Sequence, residues 1–508
     1  MPVLIGQDLT FDDVLRVAYR GEKVEPGRAL EERVAPARRL VEDAVEQGRT
    51  VYGITTGIGD LANVRIDPKE AAKLQRDIVR SHATAVGPLL PREVVRAMLL
   101  LRARTFAFGH SGVRYEIIER LIHFLNERWH PIVPSQGSLG ASGDLALLAH
   151  LALPIMGEGE LEVDGRRRPA GEVLDAAGLQ PIPLSFKEGL ALVNGTEAML
   201  ALGILTYARA ERLALTADVA GAMTVEACLG TDRAFDEALV ALRKHRGPQL
   251  VAANLRALLA GSPIVASHRT SEHLVQDAYS LRCIPQVHGA YRDALVYIRS
   301  TLEAELASAI DNPTVMPDTG EVLSGGNFHG EALGLALDHL ALCLTGFATI
   351  SERRTARLVD PDLSNGLPAF LTSDPGRRSG FMLMQYTAAS LVSENRSLSF
   401  PASADSIPTS AGQEDHVSMG ATSARKAAQI ATNSERVIAI ELLAAAQGLD
   451  LRAPLEPGPA TAAARDRIRE VSPHLDEDRS LAGDIDEVQR AIFDGSLTDA
   501  VQGSIELR

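Results

Sequence analysis

Five long runs with helical apolar spacing, at 197–230, 286–310, 330–358, 381–397 and 421–448, leave this chain few folds to adopt. Apolar residues that return every three to four positions need a partner surface along their whole length. Runs this long, joined by short polar loops, predict a bundle of long helices whose ends and connections carry the chemistry. The apolar stretch 333–350 holds Asp338 and His339, so it reads as a buried core helix and not a membrane span. Aromatic residues make up only 4% of the 508 positions, which suits helices packed closely through small side chains.

The first part of the chain is more varied. It predicts an amphipathic helix ending near Gly48, a glycine-punctuated loop from Tyr52 to Gly59, and a helix from near Lys69 to Ser81-His82. Two helices follow across 92–128, where Val113, Ile117, Leu121 and Leu125 recur at helical spacing. Asp164-Gly165, inside an alternating segment, signals a small hairpin, and Asn312-Pro313 with Asp318-Thr319-Gly320 signals a second. The expected fold is mainly α, with a mixed N-terminal domain over 1–196 and a long-helix domain over 197–508 that ends in further amphipathic helices. The net charge of −15 argues against a nucleic-acid surface. Cys228, Cys283 and Cys343 show neither metal nor disulfide spacing, and the start MPVLIGQDLTFDD lacks the basic and apolar regions of a signal peptide. A reduced, cytoplasmic setting is the expectation, without a metal or a membrane.

The densest chemical signal is Gly137-Ser138-Leu139-Gly140-Ala141-Ser142-Gly143-Asp144. Small residues let the backbone bend until the Gly143 nitrogen reaches the Ala141 carbonyl, and Gly143 has no Cβ to block the approach. Attack, loss of water, and loss of the Ser142 hydroxyl as a second water would give a methylidene-imidazolone ring (MIO). That ring is a strong electrophile, a class of group that ordinary side chains do not supply. The same residues also suit an ordinary helix start before Leu145-Ala146-Leu147-Leu148. The stretch alone leaves both readings open.

Other polar clusters are not accounted for by core packing. They are Gln276-Asp277-Ala278-Tyr279-Ser280-Leu281-Arg282-Cys283, Ser324-Gly325-Gly326-Asn327-Phe328-His329-Gly330 and Gln413-Glu414-Asp415-His416. Taken in order with Tyr52, His82, Ala141-Ser142-Gly143 and Asn194, they resemble the aromatic amino acid ammonia-lyases, and among them the members that act on histidine. The resemblance runs from about Tyr52 to Gln447. It favours the cyclised reading and implies a homotetramer with a central helical bundle and active sites shared between subunits, with no dissociable cofactor. The fumarase and aspartase group has a similar helical core, but its Gly-Ser-Ser-x-Met-Pro loop is absent here.

The resemblance also implies roles. Tyr52 would take the β-proton, for which a phenol must be partly ionised. Tyr279 would support the electrophile and the leaving amine, and Asn194 would hydrogen-bond the ring's carbonyl. Arg282 would hold the substrate carboxylate with its planar fork. His82 and Glu414 would hold an imidazole, Phe328 would pack beside it, and Gln276 would add a weaker polar contact. Phenylalanine and tyrosine lyases tend to carry Gln at the position of Glu414, and Phe-Leu or His-Leu in place of Ser81-His82. L-Histidine is therefore the expected substrate, with trans-urocanate and ammonia as products; a phenylalanine or tyrosine lyase or an aminomutase is the alternative. Thr55, Ile58 and Thr84-Ala85 depart from the common histidine pattern near the inner loop.

Overall fold

A computed structural model describes residues 1–61, 63–270 and 275–508. The chain gathers into two compact units, each assembled from three segments. The first comprises Met1–Leu205, Ser300–Asp338 and Pro401–Arg425; the second comprises Thr206–Arg299, His339–Phe400 and Lys426–Arg508.

The first unit packs shorter helices around Arg92–Ala107, which is buried along nearly its whole length. Its buried arginines, Arg96, Arg102 and Arg104, are accommodated because each reaches backbone carbonyls near helix ends. Arg96 Nη1 donates to Leu125 O at 3.0 Å, at the end of helix Tyr115–Asn126. Arg102 donates to Ala191 O at 2.5 Å and Asn194 O at 3.0 Å, and also pairs with Glu197. Local signals set the element ends. Thr10 and Asp13 form a reciprocal capping box on helix Phe11–Arg20, which closes on left-handed Gly21.

Both expected hairpins are present. Glu160–Val163 pairs with Arg166–Pro169 across Asp164-Gly165, and Thr314–Met316 pairs with Glu321–Leu323. The first becomes three-stranded by adding His130–Pro131. Asp164 and Gly165 both have positive φ, the turn geometry that matches strand twist.

The five long helices are Glu197–Ala227, Ile284–Leu306, Glu331–Val359, Met382–Leu398 and Gly420–Asp450, with ends within a turn or so of the expected runs. Glu197–Ala227 stops short of 230 because Gly230 N folds back onto Val225 O at 2.7 Å. Within the second unit, buried polar and charged side chains cross-link the helices. Arg354 grips Glu441 through bonds of 2.5 and 2.8 Å, and His288 Nδ1 meets Asp218 at 2.7 Å. Such pairs contribute little net stability against hydrophobic substitutes, but removing one partner leaves a buried charge uncompensated. Gly346 lets the Tyr291 ring pack on its helix, since a Cβ there would stand 2.1 Å from the ring.

Among the described residues, only Glu331–Val359 is long and apolar enough to cross a membrane, and 67% of its apolar window is buried in the protein. That burial matches the core-helix reading of 333–350.

Candidate active site

In the first unit, the stretch around Ser142 is shaped by contact between two glycines. Gly143 has φ +75°, and a Cβ on it would lie 1.9 Å from the Gly195 carbonyl oxygen, so no other residue fits without moving the backbone. Asp144 N donates to that same Gly195 carbonyl at 2.6 Å. The Asp144 carboxylate, fully buried, accepts from the Ala198 and Met199 amides at 2.9 Å each, at the start of helix Glu197–Ala227. Burial outweighs these donors and pushes the Asp144 carboxyl up to about 7. Ser138 Oγ donates to Gly143 O at 3.0 Å and accepts from Gly140 N at 3.1 Å.

This stretch forms one wall of a cavity of about 270 Å³. Tyr52, His82, Ser142, Asn194, Phe328 and Glu414 all line it. Tyr52 stands at the start of the glycine loop, where its phenol oxygen accepts from Gly59 N at 3.1 Å. His82 ends helix Pro68–His82, and its Nδ1 lies 2.7 Å from the Ile78 carbonyl. A carbonyl only accepts, so Nδ1 carries the hydrogen and Nε2 of the neutral ring is left as an acceptor.

Glu414 Oε1 accepts from Ser142 Oγ at 3.2 Å, and its Oε2 accepts from Thr409 Oγ1 at 2.6 Å. The Thr409 and Glu414 backbones exchange bonds of 3.0 and 3.2 Å, closing a tight turn that holds this carboxylate in place. Ser410 in that turn accepts from Asp60 N at 3.3 Å, which ties the loop carrying Tyr52 to the turn carrying Glu414.

Asn194 departs from expectation. Its Nδ2 is engaged with Asn312 O at 2.9 Å and Asp311 Oδ1 at 3.4 Å, while its buried Oδ1 has no partner among the described residues. The atom left open is an acceptor and not the donor foreseen for a ring carbonyl. Behind it Lys187 Nζ, fully buried, bonds Asp311 Oδ2 at 2.6 Å. Burial lowers the Lys187 pKa against the pull of Asp311.

Asn312, Asp60 and Ser410 also line the cavity, and sequence reasoning missed them as site residues. Asn312 looked like a hairpin residue, and Ser410 has no distinctive type. The Lys187–Asp311 pair left a usable signal: a lysine at the head of the apolar run Gly189-Leu190-Ala191-Leu192-Val193 calls for a buried partner.

Gln276, Tyr279 and Arg282 belong to the second unit. They form their own cluster there, in which Arg282 Nη1 donates to Gln276 Oε1 at 2.7 Å and the guanidinium carbon Cζ lies 4.6 Å from the Tyr279 ring centroid. Tyr279 is 72% exposed and Gln276 is exposed too.

Residues 9–470 match the model of the aromatic amino acid lyase family. The chain belongs to that family. A histidine ammonia-lyase of Gloeobacter violaceus is 53% identical over 502 residues, covering 99% of this chain and 98% of the relative. Among solved structures, a histidine ammonia-lyase from Trypanosoma cruzi superposes with a TM-score of 0.91 at 43% identity, covering 100% of this chain and 96% of that one. A tyrosine aminomutase from Streptomyces globisporus superposes with a TM-score of 0.95 at 39% identity, with full coverage of both chains. The aromatic amino acid lyase backbone thus serves more than one reaction, and the choice among them lies in side chains.

Proposed function

We propose that this lyase is a histidine ammonia-lyase, which removes ammonia from L-histidine without oxidation to give trans-urocanate, the first step of histidine degradation. The observation that carries the reading is the pair of acceptors in one cavity: the Glu414 carboxylate, 3.2 Å from the Ser142 hydroxyl, and His82. Imidazole carries an N–H that a phenyl ring lacks, and only an acceptor rewards it. The 53% identity to a histidine ammonia-lyase supports the same choice.

The residues present suit an MIO group formed from Ala141, Ser142 and Gly143. Gly143 sits where only glycine fits, and Ser142 lies on the cavity wall. When formed, that group supplies the electrophile that makes the substrate's amine or ring electron-poor. Tyr52 takes the proton from the β-carbon, and the Cα–N bond breaks as the Cα=Cβ bond forms. The amino group departs in its protonated form, taking the Cα–N electron pair with it as ammonia. Asn194 Oδ1, buried and unpartnered, offers an acceptor to the amine. Phe328 packs against the substrate ring, and Glu414 and His82 offer acceptors to its ring N–H, or to both N–H groups when the imidazole is protonated.

Arg282, with Gln276 and Tyr279 beside it, binds the carboxylate and supports the leaving amine from a neighbouring subunit of a homotetramer. The exposure of Tyr279 in a single chain accords with a cluster that is completed by assembly. The enzyme acts in the cytoplasm with no dissociable cofactor.

The test is the ultraviolet absorbance of product with histidine, tyrosine and phenylalanine offered in parallel. Urocanate from histidine alone is the expected result. Cinnamate or coumarate in its place would show that Glu414 and His82 do not read the ring.

A further inference from the structure

A second cavity in the first unit, of about 340 Å³, shares no residue with the one around Ser142. It is lined by Arg20, Arg92, Arg96, Arg128 and His130, against which stand Glu162 and Asp164. In a chain of net charge −15, gathering four guanidiniums around one hollow with two carboxylates is a local reversal of sign. Glu162 is already committed, since its Oε1 accepts from Arg92 at 2.9 and 2.5 Å.

Two buried donors on this lining lack acceptors among the described residues. Arg96 is 3% exposed; its Nε donates to Val17 O at 2.8 Å and its Nη1 to Leu125 O at 3.0 Å, yet Nη2 has no partner. His130 is 6% exposed, with Nε2 3.4 Å from Arg96 Nη1. A guanidinium only donates, so Nε2 is the acceptor and the hydrogen sits on Nδ1. His130 Nδ1 is likewise without a hydrogen-bond partner, and Glu162 Oε1 stands 3.9 Å from it. Unfilled buried donors are costly, and an oxyanion satisfies several at once. The same crowding acts on their charges: burial with Arg128 and Arg92 pushes Arg96 down to about 10, and burial with three arginines pushes His130 down to about 3.

We infer that this cavity is an anion site that takes the phosphate group of a small phosphomonoester, held by Arg96 Nη2 and His130 Nδ1 inside and by Arg20 and Arg128 at the exposed rim. Several guanidiniums match the several oxygens of a phosphate better than the two of a carboxylate. The volume leaves room for an organic part beyond the phosphate.

Calorimetric titration of the full-length enzyme with inorganic phosphate and with adenosine monophosphate, at constant ionic strength set by sodium chloride, tests the assignment. Saturable binding of both is expected, together with a rise in melting temperature that equimolar chloride does not give. Tighter binding of the monophosphate identifies a phosphomonoester as the ligand; equal binding identifies the free anion and overturns the room given to an organic part. Arg96→Met also removes caps on Val17 and Leu125, so the decisive variant is the exposed pair Arg20→Met with Arg128→Met. This variant should lose about tenfold or more in phosphate affinity while its turnover in phosphate-free buffer stays unchanged. Absence of saturable binding, or affinity unchanged in the double variant, overturns the proposal.

Discussion

On the proposed function, Glu414 sets selectivity through a single atom type. Glu414→Gln keeps the shape but replaces a charged acceptor by a neutral amide, and a hydrogen bond to a charged group is worth about 1.5–3 kcal/mol. The expected outcome is a fall of about ten- to a hundredfold in kcat/KM for histidine, with a much smaller change for any tyrosine turnover, read by parallel kinetics. Ser142→Ala should abolish activity and the ultraviolet signature of the fused ring. It should leave circular dichroism unchanged, because the Ser142 hydroxyl makes its one described bond to Glu414. Asp144 gives a pH prediction with a definite sign. Its folded pKa of about 7 lies above the ordinary value of 3.8, so between these values the folded state binds more protons than the unfolded. Its contribution to stability is therefore largest in acid and falls as pH rises toward neutrality. Relative to Asp144→Asn, the native chain should lose ground between about pH 4 and about pH 7, measured as the difference between their urea midpoints.

At the scale of elements, the loop bearing Tyr52 and the turn bearing Glu414 act as a pair. A Cβ on Gly59 would stand 2.6 Å from Ser410 Oγ, and Gly59 has φ +57°. Gly59→Ala should therefore lower kcat about tenfold or more without changing the helical circular dichroism, since it shifts the phenol against the carboxylate. Much of this level was legible in the chain. Long helices announce themselves by apolar spacing, and Asp164-Gly165 announces a hairpin because two positive φ values favour such residues. His82 and Glu414 were legible as chemistry. What stayed hidden was the wall between them: Asn312 and Ser410 are there because of where their turns lie, and residue type says nothing of that. The Asn194 amide shows a similar limit, because its orientation is set by Asp311 and Asn312, more than a hundred positions away.

At the scale of the whole molecule, the proposed assembly predicts repair between defective chains. Ser142→Ala removes the electrophile in the first unit, and Arg282→Met removes the carboxylate anchor in the second. Each variant alone should be inactive. Co-expressed subunits that mix at random should recover activity at about a quarter of the sites, measured on the purified mixed oligomer. No recovery would place Arg282 and Ser142 in the same chain's site. The buried pairs of the second unit act at the same scale. Glu441→Gln strands Arg354 and should cost about 3–5 kcal/mol, visible as a drop in melting temperature of the assembled protein.

The hydrogen bond between Ser142 and Glu414 has a consequence for how the enzyme comes of age. It exists only while the serine keeps its hydroxyl. On the proposed maturation that hydroxyl leaves as water, and the Glu414 oxygen it occupied is released. On that proposal, a newly made subunit would hold one acceptor position of Glu414 on Ser142, and the event that arms the site would free it. Reactivity and the full acceptor capacity of Glu414 would then arrive in the same event.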